Sequence, residues 1–156
     1  MRKIILHTDG SCSGNPGIGG YGAILCCGKQ ERIVKGHTTK TTTNNRMELQ
    51  PIVDALNWLN KVQKEPCEIE VHTDSIYIIN CTRTEFKNGD KKTAEWFKGR
   101  KNEDLWMELI SAGNKGKHKL TFVKVKGHAD DEYNERCDKI AKEECAKARH
   151  ELLKGA

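Results

Sequence analysis

The sequence lacks the features that place a protein in a membrane or outside the cell. It contains no run of about 18 apolar residues, so no transmembrane helix is predicted. Its opening apolar stretch, within MRKIILHTDG, is too short and too soon followed by charge for a secretion signal. No internal repeat or low-complexity segment is present. We therefore expect a soluble, cytoplasmic protein without membrane contact, folded as a single domain over residues 1–156.

The cysteines lack the pattern of a disulfide framework or a zinc site. Seven are present, an odd number, and no CxxC occurs among them. The adjacent Cys26 and Cys27 lie on a predicted strand, where neighbouring side chains point to opposite faces and cannot share one metal ion. We expect the cysteines to be mostly reduced and to act as small, semi-apolar side chains.

A glycine-rich stretch has the spacing of a nucleotide-binding turn but not its context. Gly17, Gly19 and Gly22 satisfy GxGxxG, a fingerprint that needs a helix directly after it to hold a pyrophosphate. Here the β-like run YGAILCC follows instead, and the upstream Asp9 would repel a phosphate unless a cation lay between them. We therefore interpret the three glycines as turn and strand positions.

Hydrophobic patterning predicts a mixed α/β fold. The predicted strands cover residues 3–8, 20–27, 31–36, 68–73 and 119–126, the last with both faces partly covered. One predicted helix follows residue 43, and others cover residues 75–81, 104–112 and 131–153. This order indicates a three-strand antiparallel meander followed by parallel strands, which together make a mixed five-stranded sheet with helices on its faces.

The long helix after residue 43 contains conflicting signals. Thr43, Asn44 and Asn45 offer N-cap side chains, and apolar residues then recur at helical spacing as far as Leu59. Pro51 lies inside this pattern, where its missing amide hydrogen and its ring cost a regular helix roughly 3 kcal/mol. We expect either a kink at Pro51 or a helix that begins later than the caps indicate.

A basic segment covers about residues 82–101. It carries seven basic against three acidic residues, together with Phe86, Trp96 and Phe97. Positive charge interleaved with aromatic rings is typical of a contact with a nucleic-acid backbone. The alternative is a solvated, lysine-rich pair of helices.

Two predicted strands end in the same motif, His-Thr-Asp followed by a small residue, at Asp9 and Asp74. If these strands are parallel neighbours, the two aspartates meet at the sheet edge where functional crevices lie. Glu48 lies in the first turns of the long helix and Asp138 in the last helix. Four carboxylates gathered there would repel one another unless cations neutralised them, and hard oxygen ligands suit Mg²⁺. Taken singly, Asp74 also fits a helix cap and Asp138 an exposed surface acid.

The sequence resembles bacterial type 1 ribonuclease H in several blocks that follow one another in the family's order. They are TDGSCSGNPG at 8–17, GGYGAIL at 19–25, TTNNRMEL at 42–49, TDS at 73–75, KNEDLW at 101–106, VKGHA at 125–129 and NERCD at 134–138. The resemblance implies a ribonuclease H-like fold and an endoribonuclease that cleaves the RNA strand of RNA–DNA hybrids. It also implies two Mg²⁺ ions, with Mn²⁺ as a substitute, and products with a 5′-phosphate and a 3′-hydroxyl.

The family's functional positions fall on particular residues of this chain. By motif, its catalytic and metal-binding acids fall on Asp9, Glu48, Asp74 and Asp138. Its flexible-loop histidine, which assists proton movement or product release, falls on His128. Its minor-groove contacts with the RNA strand fall on Gly10, Ser11, Cys12, Asn15, Asn44 and Asn45. The basic segment resembles the family's handle for the DNA strand, with contacts expected from Lys87, Lys91, Lys92 and Trp96.

The chain departs from the family pattern at Pro51, which is unusual in the helix that bears Glu48, and at two expected contact regions. Ile76 follows TDS, where the family usually has a glutamine that contacts the minor groove. The basic segment has a single tryptophan, Trp96, and also carries Asp90 and Glu95. The exact contacts of both regions are therefore not implied by the resemblance.

Two other functions remain open at the level of sequence. One is a DNA-directed nuclease or recombinase relative of the same fold, which NNRMEL and the combination of VKGH with NERCD disfavour. The other is a non-catalytic nucleic-acid-binding module, which is disfavoured because a binder of polyanions gains nothing from clustered acids. We expect the partner to be an RNA–DNA hybrid duplex, and we expect a monomer that needs no protein partner.

Overall fold

The computed structural model describes residues 1–82, 86–126 and 131–155. The strands in these ranges are β1 Arg2–Ser13, β2 Gly17–Cys27, β3 Gln30–Thr42, β4 Cys67–Thr73 and β5 Lys119–Lys124. The helices are α1 Asn44–Val62, α2 Ile76–Thr82, α3 Lys91–Phe97, α4 Glu103–Lys115 and α5 Glu132–Lys154. None of these helices combines the length and the apolar content that crossing a bilayer requires.

The strands form one mixed sheet in the order β3-β2-β1-β4-β5. The pairs β1–β2 and β2–β3 are antiparallel, whereas β4 pairs in parallel with β1 on one side and with β5 on the other. This is the predicted topology of a meander joined to parallel strands, and the predicted fold class is confirmed. Because β1 and β4 are parallel neighbours, their carboxyl ends meet at one edge of the sheet.

Helices cover both faces of the sheet. On one face, α1 and α4 enclose the main core, where Leu6 of β1 and Val71 of β4 pack with Leu56 of α1 and the fully buried Trp106 of α4. On the other face, α5 lies across β1, β2 and β3. Each large apolar side chain buried in this way stabilises the fold by roughly 1.5–3 kcal/mol.

Glycines in β2 let α5 approach the sheet closely. A Cβ atom on Gly20 would collide with the Cys145 nitrogen and the Ala141 carbonyl oxygen of α5, and one on Gly22 would collide with the Ile140 side chain. Backbone atoms cannot turn aside as a flexible side chain can, so residue 20 must be glycine if α5 keeps this position. All glycines of the GxGxxG match lie within β2, so that match does not form a phosphate-binding turn.

Two strands extend several residues beyond their predicted ends. β1 continues to Ser13 and β3 to Thr42. Backbone pairing with β2 holds both extensions, since Gly19 pairs with Cys12 on one side and with Thr38 on the other. The extensions consist mainly of small and polar residues that show no hydrophobic alternation. The predicted ends were wrong because backbone hydrogen bonds, rather than side-chain burial, define these strands.

The last strand, β5, is covered on one face only. Leu120 is buried and Phe122 packs against the core, whereas Thr121 is exposed and Val123 is 37% exposed. The expectation that both faces are partly covered was therefore wrong. The reason is that β5 lies at the sheet edge, while α5 crosses β1, β2 and β3.

The helix α1 begins at Asn44, directly after the caps, so the expected later start was wrong. Thr43 is the N-cap, and its hydroxyl accepts a backbone N–H of the first turn at 3.3 Å. Pro51 is buried inside the helix, and because it has no amide hydrogen it leaves the Met47 carbonyl without its usual helical donor. That carbonyl lies directly against Gly10 of β1, where a Cβ atom would collide with it. The helix nevertheless continues past Pro51 to Val62.

The helices between β4 and β5 differ from prediction in number and length. The additional helix is α3, which at seven residues is too short to show a hydrophobic period. The helix α4 continues through Gly113 to Lys115, because Gly113 is buried against the Asn88 side chain and does not act as a stop. The helices α2 and α5 lie within one residue of their predicted ranges.

Replacing Gly20 with alanine tests the close packing of α5. The added methyl group would occupy space that holds helix backbone, so we expect the free energy of unfolding to fall by more than about 2 kcal/mol. Chemical denaturation measures the change. The control is Gly28→Ala, because a Cβ atom at residue 28 would meet nothing within 4 Å. The free energy of unfolding should then fall by only about 1 kcal/mol, the cost of placing alanine at a φ of 59°. Equal losses for the two variants would contradict a steric role for Gly20.

Candidate metal site and nucleic-acid interface

Three carboxylates meet at the edge where β1 and β4 lie side by side. Parallel pairing places His7 opposite His72, so Asp9 and Asp74, two residues farther along, lie at the same edge of the sheet. Glu48 reaches this edge from the second turn of α1, because α1 packs against β1. One carboxylate oxygen from each acid lies within 4.8 Å of the other two. The structure thus brings together three of the four acids that the sequence singles out.

Within this acid triad Asp9 is buried, Glu48 and Asp74 are half-buried, and Asp9 and Glu48 share one backbone donor. Asp9 is 5% exposed, and its Oδ1 accepts the Gly10 N–H at 2.9 Å. The Oε1 atom of Glu48 accepts the same N–H at 3.3 Å. The second carboxylate oxygen of Glu48, Oε2, is buried and has no hydrogen-bond partner in the described part of the chain. A buried carboxylate oxygen without a donor is costly, and a divalent cation would satisfy it.

Burial and mutual repulsion raise the pKa values of two acids of the triad, Asp9 and Glu48. The pKa of Asp9 is raised to about 7, mainly by burial and then by the neighbouring Asp74 carboxylate. The pKa of Glu48 is raised well above its usual value, again mainly by burial and then by Asp9 and Asp74. Holding three negative charges here at neutral pH therefore requires nearby positive charge. Since its donors are all hard oxygens, the triad suits a divalent cation such as Mg²⁺ or Mn²⁺.

The fourth predicted acid, Asp138, lies near the triad but outside its tightest grouping. It is half-buried on α5, and its Oδ2 atom lies 3.0 Å from the Lys142 Nζ atom. Its charge also raises the pKa of Asp9, as the smallest of several contributions. A role for Asp138 as a metal ligand stays a prediction. The predicted His128 lies outside the described residues.

Half-buried residues of β1 lie immediately beyond Asp9. They are Gly10, Ser11 and Cys12, three of the predicted minor-groove contacts. The Cys12 thiol donates to the Thr42 carbonyl oxygen at 3.5 Å, which ties this part of β1 to the end of β3. Backbone groups and small side chains at this edge leave room for a substrate to approach the triad.

The predicted asparagine contacts lie on the exposed side of the same edge. Asn15 follows β1, and its Oδ1 atom accepts the Asn44 N–H at 3.2 Å. Asn44 and Asn45 are exposed in the first turn of α1. Because the Thr43 side chain caps α1, the alternative interpretation of these two asparagines as caps was wrong. Their amide side chains are available for contacts outside the helix.

The helix α2 begins at Ile76, two residues after Asp74. The Ser75 hydroxyl caps it by accepting the Ile78 N–H at 3.2 Å. Ile76 is the first residue of α2 and is 63% exposed. An aliphatic side chain neither donates nor accepts hydrogen bonds, so Ile76 can contact a ligand by shape only.

The basic segment presents cations and one aromatic ring to solvent. Lys87, Lys91 and Lys92 are exposed, and Trp96 is 44% exposed. The Arg100 guanidinium lies 3.8 Å from the centroid of the Trp96 ring. This stacked cation was not predicted from the sequence, because Arg100 lies beyond the end of α3 and its contact with Trp96 depends on the turn that follows the helix. The exposed lysines and Trp96 suit contact with a polyanion.

The other aromatic rings of the basic segment are structural. Phe97 is 1% exposed and stacks on Trp106 of α4, with ring centroids 4.4 Å apart. Phe86 packs against the same core and meets Phe122 of β5 edge-to-face at 5.2 Å. The expectation that Phe86 and Phe97 belong to a nucleic-acid contact was therefore wrong. Their burial anchors the segment and leaves Trp96 as its exposed ring.

Clustered carboxylates where two parallel strands end, together with a separate segment of exposed lysines, define an α/β protein that can hold divalent cations and meet a polyanion. The family model described as RNase H matches residues 1–146 of this chain. The chain therefore belongs to the ribonuclease H family.

Bacterial relatives cover almost the whole chain. The Ribonuclease H of Acetivibrio thermocellus is 47% identical in an alignment of 152 residues, and the match covers 94% of this chain and 97% of that relative. The Ribonuclease H of Prosthecochloris aestuarii is 43% identical in an alignment of 146 residues, and the match covers 91% of this chain and 94% of that relative. The chain therefore belongs to a family of enzymes, the endonucleases named ribonuclease H.

Solved structures share the fold. LC9-RNase H1, a type 1 RNase H with the type 2 active-site motif, superposes with a TM-score of 0.74 at 24% identity and covers 95% of this chain and 74% of that one. This likeness shows the fold alone. LC11-RNase H1 in complex with an RNA/DNA hybrid superposes with a TM-score of 0.65 at 27% identity and covers 93% of this chain and 98% of that one.

Replacing Asp9 with asparagine should stabilise the metal-free protein at high pH. Because the folded pKa of Asp9 is about 7 and its usual value is 3.8, the folded state holds a proton that the unfolded state releases between these values. Stability therefore falls as the pH rises from about 4 to about 7. In excess chelator we expect Asp9→Asn to gain roughly 2 kcal/mol or more at pH 8 and little at pH 4.

Thermal denaturation at the two pH values measures this difference. Asp104→Asn is the control, because Arg46 lowers the pKa of Asp104 to about 2 and the sign is reversed. That variant should lose stability at pH 8 rather than gain it. A gain for Asp9→Asn that is equal at both pH values would contradict repulsion within the triad.

Proposed function

We propose that this protein is an endoribonuclease that hydrolyses the RNA strand of RNA–DNA hybrids. The observation that carries the proposal is the close triad of Asp9, Glu48 and Asp74 at the sheet edge of a ribonuclease H family member. Support for the substrate comes from LC11-RNase H1, whose structure contains an RNA/DNA hybrid. The names of the bacterial relatives support the same activity.

In this proposal the triad and Asp138 hold two Mg²⁺ ions, for which Mn²⁺ can substitute. When bound, the ions supply charge neutralisation at the scissile phosphate and a reactive water at neutral pH. The chain supplies a fixed setting, because the Gly10 N–H orients both Asp9 and Glu48 and the sheet fixes the direction of β1. Hydrolysis leaves a 5′-phosphate and a 3′-hydroxyl. His128, outside the described residues, assists proton movement or product release.

Recognition of the RNA strand falls on the polar groups beside the triad. Only RNA carries a 2′-hydroxyl, which both donates and accepts a hydrogen bond in the wide minor groove. Gly10, Ser11 and Cys12 offer backbone groups and small side chains on β1. The amides of Asn15, Asn44 and Asn45 complete the set. These groups match the donor and acceptor character of the 2′-hydroxyl.

The DNA strand is held by the basic segment. Lys87, Lys91 and Lys92 attract its phosphates, and the exposed Trp96 ring packs against a sugar or base. Arg100 stacks on the same ring and adds a further charge. Two separate surfaces thus contact the two strands of a hybrid.

Removing a triad carboxylate should abolish cleavage and keep the fold. We expect Asp9→Asn, Glu48→Gln and Asp74→Asn each to lower the rate on a hybrid more than about 100-fold, because neutral amides bind divalent cations poorly. Excess chelator should stop the wild type, and added Mg²⁺ or Mn²⁺ should restore it. Gel assays with labelled strands measure cleavage, and circular dichroism checks folding. The control is Glu65→Gln, an exposed acid before β4, which should remain fully active.

Digesting a hybrid, duplex RNA and duplex DNA side by side separates the alternatives. Cleavage confined to the RNA strand of the hybrid supports the proposal. Cleavage of duplex DNA would indicate a DNA-directed nuclease of the same fold. Binding without any metal-dependent product would indicate a non-catalytic module. Full activity in any triad variant would refute the assignment of the acids.

Replacing Lys91 and Lys92 together with alanine tests the basic segment. Fewer displaced counterions should weaken hybrid binding and lower the slope of log affinity against log salt by about one to two. Fluorescence anisotropy over a salt series measures both quantities. Replacing Lys61 and Lys64, which are exposed at the end of α1 and just after it, is the charge-matched control and should leave the slope unchanged. An unaltered slope in the first variant would place the contact elsewhere.

A further inference from the structure

The first turns of α5, which carry Asp138, are anchored to the sheet by a small group of side chains. The Tyr133 ring stacks on His7 of β1, with ring centroids 4.2 Å apart and an interplanar angle of 9°. The Cys137 thiol donates to the His7 carbonyl oxygen at 3.4 Å. Both contacts tie α5 to β1 at a point two residues before Asp9.

A second anchor comes from the start of β3. Glu31 accepts hydrogen bonds from both terminal nitrogens of Arg136, at 3.1 and 2.9 Å. The Tyr133 hydroxyl donates to the same carboxylate at 3.0 Å. A bidentate pair fixes orientation as well as distance. The rotation of α5 is therefore fixed at Arg136, two residues before Asp138.

The same group extends to the strand that leads to Asp74. His7 meets His72 of β4 edge-to-face, with ring centroids 5.0 Å apart and an interplanar angle of 71°. Because side chains alternate along a strand, His7 lies on the same face of β1 as Asp9. Asp74 follows His72 at the same spacing. One layer of rings thus connects the elements that carry Asp9, Asp74 and Asp138.

We propose that Tyr133, Arg136 and Glu31 are positioning residues, which hold Asp138 beside Asp9 and thereby set the affinity of the acid cluster for divalent cations. This rests on the proposed function, in which Asp138 is a metal ligand. A helix moves as a rigid unit, so a tilt of the first turns of α5 displaces the Asp138 carboxylate. Groups that support metal ligands from behind typically alter metal affinity by about 10- to 100-fold.

The ion pair between Arg136 and Glu31 contributes little to overall stability. The side chains of Arg136 and Glu31 are 36% and 35% exposed, and ion pairs this open to water are weakly stabilising. Farther along, α5 is held independently by its close packing on Gly20. Loss of the anchor should therefore displace Asp138 without unfolding α5.

Glu31→Gln is the test variant, and Glu151→Gln is its matched control. Glu151 of α5 lies 2.8 Å from the Nε2 atom of His37 in β3, so each substitution breaks one ion pair between β3 and α5, at opposite ends of the helix. We expect Glu31→Gln to raise the Mg²⁺ concentration for half-maximal hybrid cleavage roughly three- to tenfold. The rate at saturating Mg²⁺ should change little. Glu151→Gln should leave the Mg²⁺ dependence unchanged, with a similarly small loss of melting temperature.

Calorimetric titration of the metal-free protein with Mn²⁺ gives a readout that does not depend on cleavage. The Kd for Mn²⁺ should rise by the same factor in Glu31→Gln and stay at the wild-type value in Glu151→Gln. Tyr133→Phe keeps the ring stack but loses the hydrogen bond to Glu31, so its Kd should lie between those of Glu31→Gln and the wild type.

An unchanged Mn²⁺ affinity in Glu31→Gln would overturn the positioning role. An equal shift in Glu151→Gln would also overturn it, because the effect would then be a general loosening of α5. If the wild type binds Mn²⁺ but does not cleave hybrids, the proposed function fails, while the Mn²⁺ titrations still decide whether Glu31 sets metal affinity.

Discussion

Mutual repulsion among three closely spaced carboxylates is the constraint on which the arrangement of this fold depends. Asp9, Glu48 and Asp74 come from separate parts of the chain, and their charges favour moving apart. The parallel ladder between β1 and β4 prevents this for the two aspartates. Gly10 keeps Glu48 close to Asp9. The backbone of α1 lies directly against Gly10, and the Gly10 N–H donates to both carboxylates. The repulsion held in this way is relieved when a cation binds.

The two helices that carry acids both pack closely against the sheet at a glycine. The helix α1, which carries Glu48, contacts β1 at Gly10, and α5, which carries Asp138, contacts β2 at Gly20. By contrast, α4 contributes no acid to the cluster and packs through large apolar side chains such as Trp106. Short helix–sheet distances at the glycines bring short carboxylate side chains to the edge of the sheet. The glycine-rich start of the chain therefore serves helix packing rather than nucleotide binding.

The meeting of Asp9 and Asp74 was predictable from the sequence because their signals are local. A strand followed by Asp and a small residue occurs at both Asp9 and Asp74, and the order of the elements implies that these strands are parallel. Features decided by tertiary contacts were not predictable. Burial of Phe86 and Phe97 depends on contacts with Phe122 of β5 and Trp106 of α4, and α1 continues past a Pro51 that is itself buried. Composition and periodicity contain none of this tertiary packing, so all three residues were assigned the behaviour that their type shows in isolation.

A protein that uses acids to act on a polyanion must keep two opposite electrostatic tasks apart. The net charge of +5 and the exposed lysines near α3 act at long range, where they attract phosphate groups. The triad acts at short range, and because Asp9 is only 5% exposed, its charge is not presented on the open surface. In the proposed function, cations at the triad would remove the remaining repulsion towards a phosphate, and a bound phosphate would in turn add oxygen ligands for the cations. Metal and the proposed substrate therefore favour each other's binding through charge alone, without requiring a change in the shape of the protein.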